Sequence, residues 1–257
     1  MSLAPDRLER FARHIVLPEV GGTGQVALAD AHVVLIGCGG IGSPALQYLA
    51  AAGIGQLTLI DSDTVDVSNL QRQTIFTPAD VGRPKAEVAA EWVQRFDPAL
   101  QVNPRVERLG RDTVAAAIAG ADVVLDGCDN FATRLLVSDA CVAARIPLTS
   151  AAIGRFQGQV ASFAGHRPDQ PCYRCFVGDA FDAEDCDTCA ADGVLGAMAG
   201  MVATFGAMQA MRVLLDGHAA LGDDPQFGRL HLLDGLKPSL RTIAIVKDPD
   251  CTGCGTP

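Results

Sequence analysis

Basic charge is in short supply in this sequence. Its 257 residues hold 20 Lys and Arg against 30 Asp and Glu, a net charge of −10, and the pI is near 4.8. That balance argues against a nucleic-acid partner, because a phosphate backbone needs a basic face. Any nucleotide bound here must be met by a few locally placed cations. A secretory leader is also missing, since the opening MSLAPDRLERFARHIVLP mixes charges of both signs with its apolar residues. Of the nine cysteines, Cys38, Cys128 and Cys141 are isolated and six fall in three C-x-x-C pairs. Together these features indicate a reducing, cytoplasmic setting and metal or thiol chemistry, not a disulfide framework. No internal repeat or low-complexity tract stands out. One apolar stretch, GVLGAMAGMVATFGAMQAM at 193–211, has the length of a membrane span. Its Gly and Ala content, Thr204, Gln209 and the lack of a second span favour a helix buried against a sheet or a second subunit. Gly196-x-x-x-Gly200 within it suits tight helix contact.

The informative part of the chain begins with VVLIGCGGIGSP at 33–44. Val33–Ile36 read as a buried strand, Gly37-x-Gly39-x-x-Gly42 follows at once, and an apolar helix starts behind it. In that setting glycines let the backbone turn tightly and approach phosphate oxygens, which rest on the free N–H groups of the helix N-terminus. A second strand, QLTLID, ends in Asp61, at the spacing where a carboxylate meets a ribose hydroxyl. Taken alone, these features fit an NAD-dependent oxidoreductase. Strands and helices then alternate to about residue 153, which implies a mostly parallel sheet with its ligand site at the strands' carboxyl ends. After 154, GQVASFAG, GRLHLLDG and LRTIAIVKD alternate like antiparallel strands. The expected architecture is one α/β unit over 1–257, a Rossmann-like doubly wound sheet, parallel in its first half and antiparallel in its C-terminal half. A helical N-terminal arm occupies 1–30, the nucleotide-binding part 32–153, and the mixed sheet, a crossover loop and the buried helix 154–257.

Between the second strand and the next helix lies DSDTVDVSNLQRQTIFTPADVGRPKAEVA, 61–89, far longer than an ordinary βα connection. It carries Asn69, Arg72, Gln73 and Lys85. An oxidoreductase has no evident need for two cations there, whereas a triphosphate does. The segments GCGGIGSP, LTLIDSDTVDVSNLQRQ, VGRPKAEVA, LDGCDN and PCYRC, in that order, resemble the MoeB/ThiF/HesA family, bacterial relatives of the ubiquitin-activating enzymes. The resemblance runs from RFARHI to the final CTGC.

It implies ATP-dependent adenylation of the C-terminal glycine of a small ubiquitin-like sulfur carrier ending in Gly-Gly, with release of pyrophosphate. On the matching positions, Gly37, Gly39, Gly40 and Gly42 form the phosphate turn, Asp61 holds the ribose, and Asn69, Arg72 and Lys85 meet the phosphates, with Asp63, Gln73 and Asn130 beside them. Asp129 in DGCDN binds Mg²⁺; relatives often read DCTDN, and both the acid and Asn130 are retained here. Arg13 matches an arginine that reaches into a partner subunit's ATP site, which implies a symmetric homodimer. AIGRFQGQ tilts the resemblance toward MoeB-type members, which act on a MoaD-like carrier in molybdopterin biosynthesis; ThiS activation for thiamine is the alternative. An oxidoreductase would leave the Arg72/Lys85 loop unused. An inactive zinc-bound interaction subunit would show degraded phosphate contacts.

Any two of Cys172/Cys175, Cys186/Cys189 and Cys251/Cys254 can present four thiolates to a tetrahedral zinc, and spacing does not choose among them. The resemblance pairs the first with the last, which ties the C-terminal tail to the domain. It also places Cys189 where a family cysteine takes part in sulfur transfer. Asp185 and Asp187 flank it and would raise its thiol pKa.

Overall fold

The runs VVLI, LTLI and VVLD are almost wholly buried, as parallel strands covered on both faces by helices must be. They form the middle of the sheet. The computed structural model describes residues 3–178, 193–217 and 226–255. Its strands are β1 His32–Ile36, β2 Gln56–Ile60, β3 Gln101–Arg105, β4 Val123–Asp126, β5 Leu148–Gly154, β6 Gln157–Phe163, β7 Arg229–Asp234 and β8 Ser239–Ala244. They lie in the order β3-β2-β1-β4-β5-β6-β7-β8. Pairing is parallel from β3 through β5 and antiparallel from β5 through β8. The expected change of direction after residue 154 is therefore present, at the Gly154–Gln157 end of the β5–β6 hairpin. Pro104 is tolerated in β3 because that strand is a sheet edge.

Side chains alternate across the pleat and build two cores. Leu35, Leu57, Leu59 and Leu125 face helices α3 Gly21–Asp30, α4 Gly42–Ala51, α5 Lys85–Phe96 and α9 Gly196–Leu214. Val34, Ile36 and Val124 face α6 Val114–Ile118 and α7 Phe131–Ala144 on the other side. The arm begins with the short helices α1 Pro5–Arg10 and α2 Ala12–Ile15, and a one-turn helix α8, Tyr173–Val177, follows the first cysteine of its pair. In the arm Phe11 is deeply buried, under the Arg7 guanidinium, while Leu8 and Leu17 are exposed. Arg7 anchors the arm to Asp97 at 2.5 Å, just past the end of α5.

Helix α9 has the length and composition of a membrane span, yet 56% of its most apolar window is buried inside the protein. It packs on α4 and on β4, β5 and β6, as a core helix does. Within the chain, the Gly196/Gly200 pair packs against no other described helix. A Cβ on Gly196 would stand 2.2 Å from the Gln71 carbonyl oxygen, so this glycine admits the SNLQRQ loop, while Gly200 faces open space. Gly196→Ala is therefore expected to cost about 1–3 kcal/mol through overpacking. Gly200→Ala should gain up to ~1 kcal/mol of helix propensity. Urea denaturation of the two variants measures both.

Candidate functional site

The carboxyl ends of β1, β2 and β4 open on the same side of the sheet, and a cavity of about 630 Å³ lies over them. This is where an open α/β sheet places its ligand. The turn after β1 is built by exclusion of side chains. Gly37 has φ +83°, and a Cβ on Gly42 would fall 1.8 Å from the Gly37 carbonyl oxygen. The turn is tied to the second strand by the Cys38 N–H, which donates to Asp61 Oδ2 at 2.7 Å. The other Asp61 oxygen accepts the Asp63 N–H at 2.8 Å. Burial raises the Asp61 pKa above the ordinary carboxylate value, opposed by the Asp63 N–H, the nearby Lys85 charge and the Cys38 N–H.

The long 61–84 connection is stitched rather than loose. Val65 N–H donates to the Arg83 carbonyl at 2.9 Å, and Lys85 N–H to the Asp63 carbonyl at 2.9 Å. Asp66 caps a short 3₁₀ turn, Val67–Asn69, in a reciprocal box with Asn69. From that turn Arg72 reaches back to the Ser68 carbonyl at 3.0 Å. Lys85 opens α5; its side chain is buried, and Nζ meets Asp63 Oδ2 at 3.0 Å. After β4, Asn130 caps α7 by accepting the Thr133 N–H at 2.9 Å. The Asp129 carboxylate beside it is exposed and pairs with no other described residue.

Gly37, Gly39, Gly40, Asp61, Asp63, Asn69, Arg72, Gln73, Lys85, Asp129 and Asn130 all line the one cavity, with Gly42 directly beneath. Arg13 does not line it and is exposed on the arm. Cys189, Cys186, Asp185 and Asp187 lie outside the described residues, as does the core of the expected 177–192 crossover loop. The sequence reading passed over three further contributors to the lining: Glu107–Leu109 after β3, Gly193–Val194 before α9, and Arg134. The signal for Arg134 was a single cation in FATRLLVSDAC, on the same buried face as Val137, Ser138 and Cys141. Gln73 Oε1 is buried without a hydrogen-bond partner at the cavity wall, an unmet acceptor of the kind ligand sites retain.

The ThiF family matches residues 11–253. The chain belongs to the ThiF family. It is 43% identical over 255 residues to the SAMP-activating enzyme E1 of Haloferax volcanii, spanning 99% of this chain and 92% of that protein. It is 39% identical over 253 residues to the molybdopterin-synthase adenylyltransferase of Salmonella typhimurium, spanning 98% of each. Among solved structures, E. coli MccB crystallised with MccA-N7isoASN aligns at a TM-score of 0.81 over 96% of this chain and 75% of that one; at 21% identity the likeness speaks to fold alone.

Elsewhere in this ThiF-family domain, Cys172, Cys175, Cys251 and Cys254 bring their sulfurs within 4.8 Å of one another. The Sγ–Sγ separations are 3.9 Å for Cys172–Cys175, 3.6 Å for Cys172–Cys251 and 3.4 Å for Cys175–Cys254. Thiolates about 2.3 Å from a zinc ion would be separated by roughly 3.8 Å along each tetrahedral edge, so zinc fits these residues. The fold thus gathers the first and last pairs. Acid release should yield stoichiometric zinc from the purified chain. The Cys251→Ser/Cys254→Ser variant should release none and melt several degrees lower, because metal binding to such a corner is folding free energy.

Proposed function

We propose that the chain activates the C-terminal glycine of a small ubiquitin-like sulfur carrier, its carboxylate attacking the α-phosphorus of ATP to give an acyl adenylate and pyrophosphate. The observation that carries this reading is the convergence, over one strand-end cavity, of a side-chain-free turn, two cations and an unpaired carboxylate. Such a reaction needs positioning and charge stabilisation from the protein. The turn Gly37–Gly42 receives phosphate on backbone N–H groups, and Asp61 has oxygen lone pairs left for the ribose. Lys85 and Arg72 neutralise charge that grows on the phosphates. Asp129 is a hard oxygen donor with no protein partner among the described residues, which suits Mg²⁺. That ion, when bound, supplies charge neutralisation to phosphate oxygens. Asp63 holds Lys85 in place until phosphate competes for it.

Within this reading the carrier is MoaD-like and the product feeds molybdopterin synthesis in the cytoplasm, the assignment favoured by AIGRFQGQ; a ThiS-like carrier is the alternative. The two relatives above bear the names of different acceptors, so the carrier is decided by experiment. Arg13, exposed and outside its own chain's cavity, acts in the site of a second copy, making the working unit a homodimer.

ATP–pyrophosphate exchange with purified Gly-Gly carriers is the direct test. Exchange should depend on one carrier and fall by two or more orders of magnitude in Asp129→Ala; persistent exchange in that variant, or none with any carrier, would sink the proposal. Mixing Arg13→Ala with Asp129→Ala chains should restore exchange that neither shows alone, since a hybrid dimer regains one intact site. Failure to complement would place Arg13 outside catalysis.

A further inference from the structure

We infer that Arg134 is the residue that positions Asp129, and that Tyr173 and Arg174 tie the helix bearing it to the four-cysteine corner; the inference rests on the reading of Asp129 given above. Arg134 stands in the first turn of α7 and is buried. Its guanidinium meets Ser150 Oγ at 2.9 Å, the Ala151 carbonyl at 2.8 Å, the Asp126 carboxylate at 3.5 Å and the Cys128 carbonyl. A guanidinium has five N–H donors, so these partners leave it little to offer a phosphate, although it borders the cavity. Its role is positional.

The geometry shows what it positions. Asp126 is completely buried at the end of β4, and its Oδ1 accepts the Cys128 N–H at 3.0 Å. Arg134 donates to the carbonyl of the same residue. The Cys128 residue is thus gripped at its N–H by one member of a buried ion pair and at its carbonyl by the other. Asp129 follows immediately, and Asn130 is fixed as the cap of α7. Because the Asp129 carboxylate touches no other described side chain, its direction is set by this backbone alone.

The second tie comes from the cysteine corner. Tyr173 and Arg174 lie between Cys172 and Cys175, and both hold α7. Arg174 pairs with Asp139 through two bonds of 2.7 and 2.8 Å, and the Tyr173 ring packs among Phe131, Phe163 and Phe176. The corner therefore fixes the helix that starts at the cation-binding acid, at two points on its length.

The experiment uses the full-length, zinc-loaded chain and reads the Mg²⁺ dependence of ATP binding by calorimetry, with zinc content and melting temperature measured on each sample. Asp129→Ala should abolish the Mg²⁺ dependence. Asp139→Asn, which breaks the pair with Arg174, should raise the Mg²⁺ concentration at half-saturation about tenfold, and Arg134→Lys by on the order of a hundredfold, the range for losing one or several hydrogen bonds to a charged group. Both should keep their zinc, and exchange in Asp139→Asn should recover at saturating Mg²⁺. A purely structural role would lower melting temperature and leave the Mg²⁺ half-saturation where it was. Wild-type half-saturation in a folded, zinc-replete Asp139→Asn would remove the tie to the corner, and the same result in Arg134→Lys would overturn the positioning role, while the Asp129 reading stood. An Mg²⁺ dependence unchanged in Asp129→Ala would overturn that reading and this inference with it. Should Arg134→Lys fail to fold, Ser150→Ala, which removes the hydroxyl that bonds both Arg134 and Asp126, replaces it, and an unchanged Mg²⁺ half-saturation there would overturn the positioning role.

Discussion

Backbone approaches backbone so closely at the end of β1 that the rest of the site is arranged around the contact. A Cβ on Gly42 would overlap the Gly37 carbonyl at 1.8 Å, and one on Gly37 would press at 3.2 Å on the Gly127–Cys128 peptide of the β4 loop. The Cys38 N–H binds Asp61 from β2. Three strand ends are thus joined through a turn that contributes almost no side-chain volume. The space side chains would have filled is the space a phosphate needs.

Electrostatics has to be local in a chain of net charge −10. The cations at the cavity are held before any ligand arrives: Lys85 by Asp63, Arg72 by the Ser68 carbonyl, each at 3.0 Å. Groups fixed in this way need little reorganisation when charge develops, which is the condition for strong electrostatic stabilisation. Arg134 shows the complementary use of charge. It is buried against Asp126 and three further acceptors, and its yield is geometry in the loop that carries Asp129.

The cysteines divide by surroundings. Burial raises the thiols of Cys38 and Cys128 well above their ordinary range, with Asp61 and Asp126 adding to it. Both therefore stay protonated beside the cavity, where a thiolate would be reactive. The four sulfurs of the corner are instead close enough to share one metal, joining the C-terminal tail to the loop before α8.

Local pattern determined the strands, the change from parallel to antiparallel pairing, the glycine turn and the loop that bears Asn69, Arg72 and Lys85. Each is a matter of period, turn chemistry or spacing within a short window. Tertiary structure decided what no window contains. Spacing left three cysteine pairs equivalent, and only the fold brings residues 172–175 beside 251–254. Gly196 read as a helix contact and proved to be the seat of the Gln71 carbonyl. Arg134 did not stand out in the sequence, because its partners come from β5 and from the end of β4 with the loop after it. Sequence fixes which groups are available; which become neighbours depends on sheet order and helix packing, and those are settled by burial of the whole core at once.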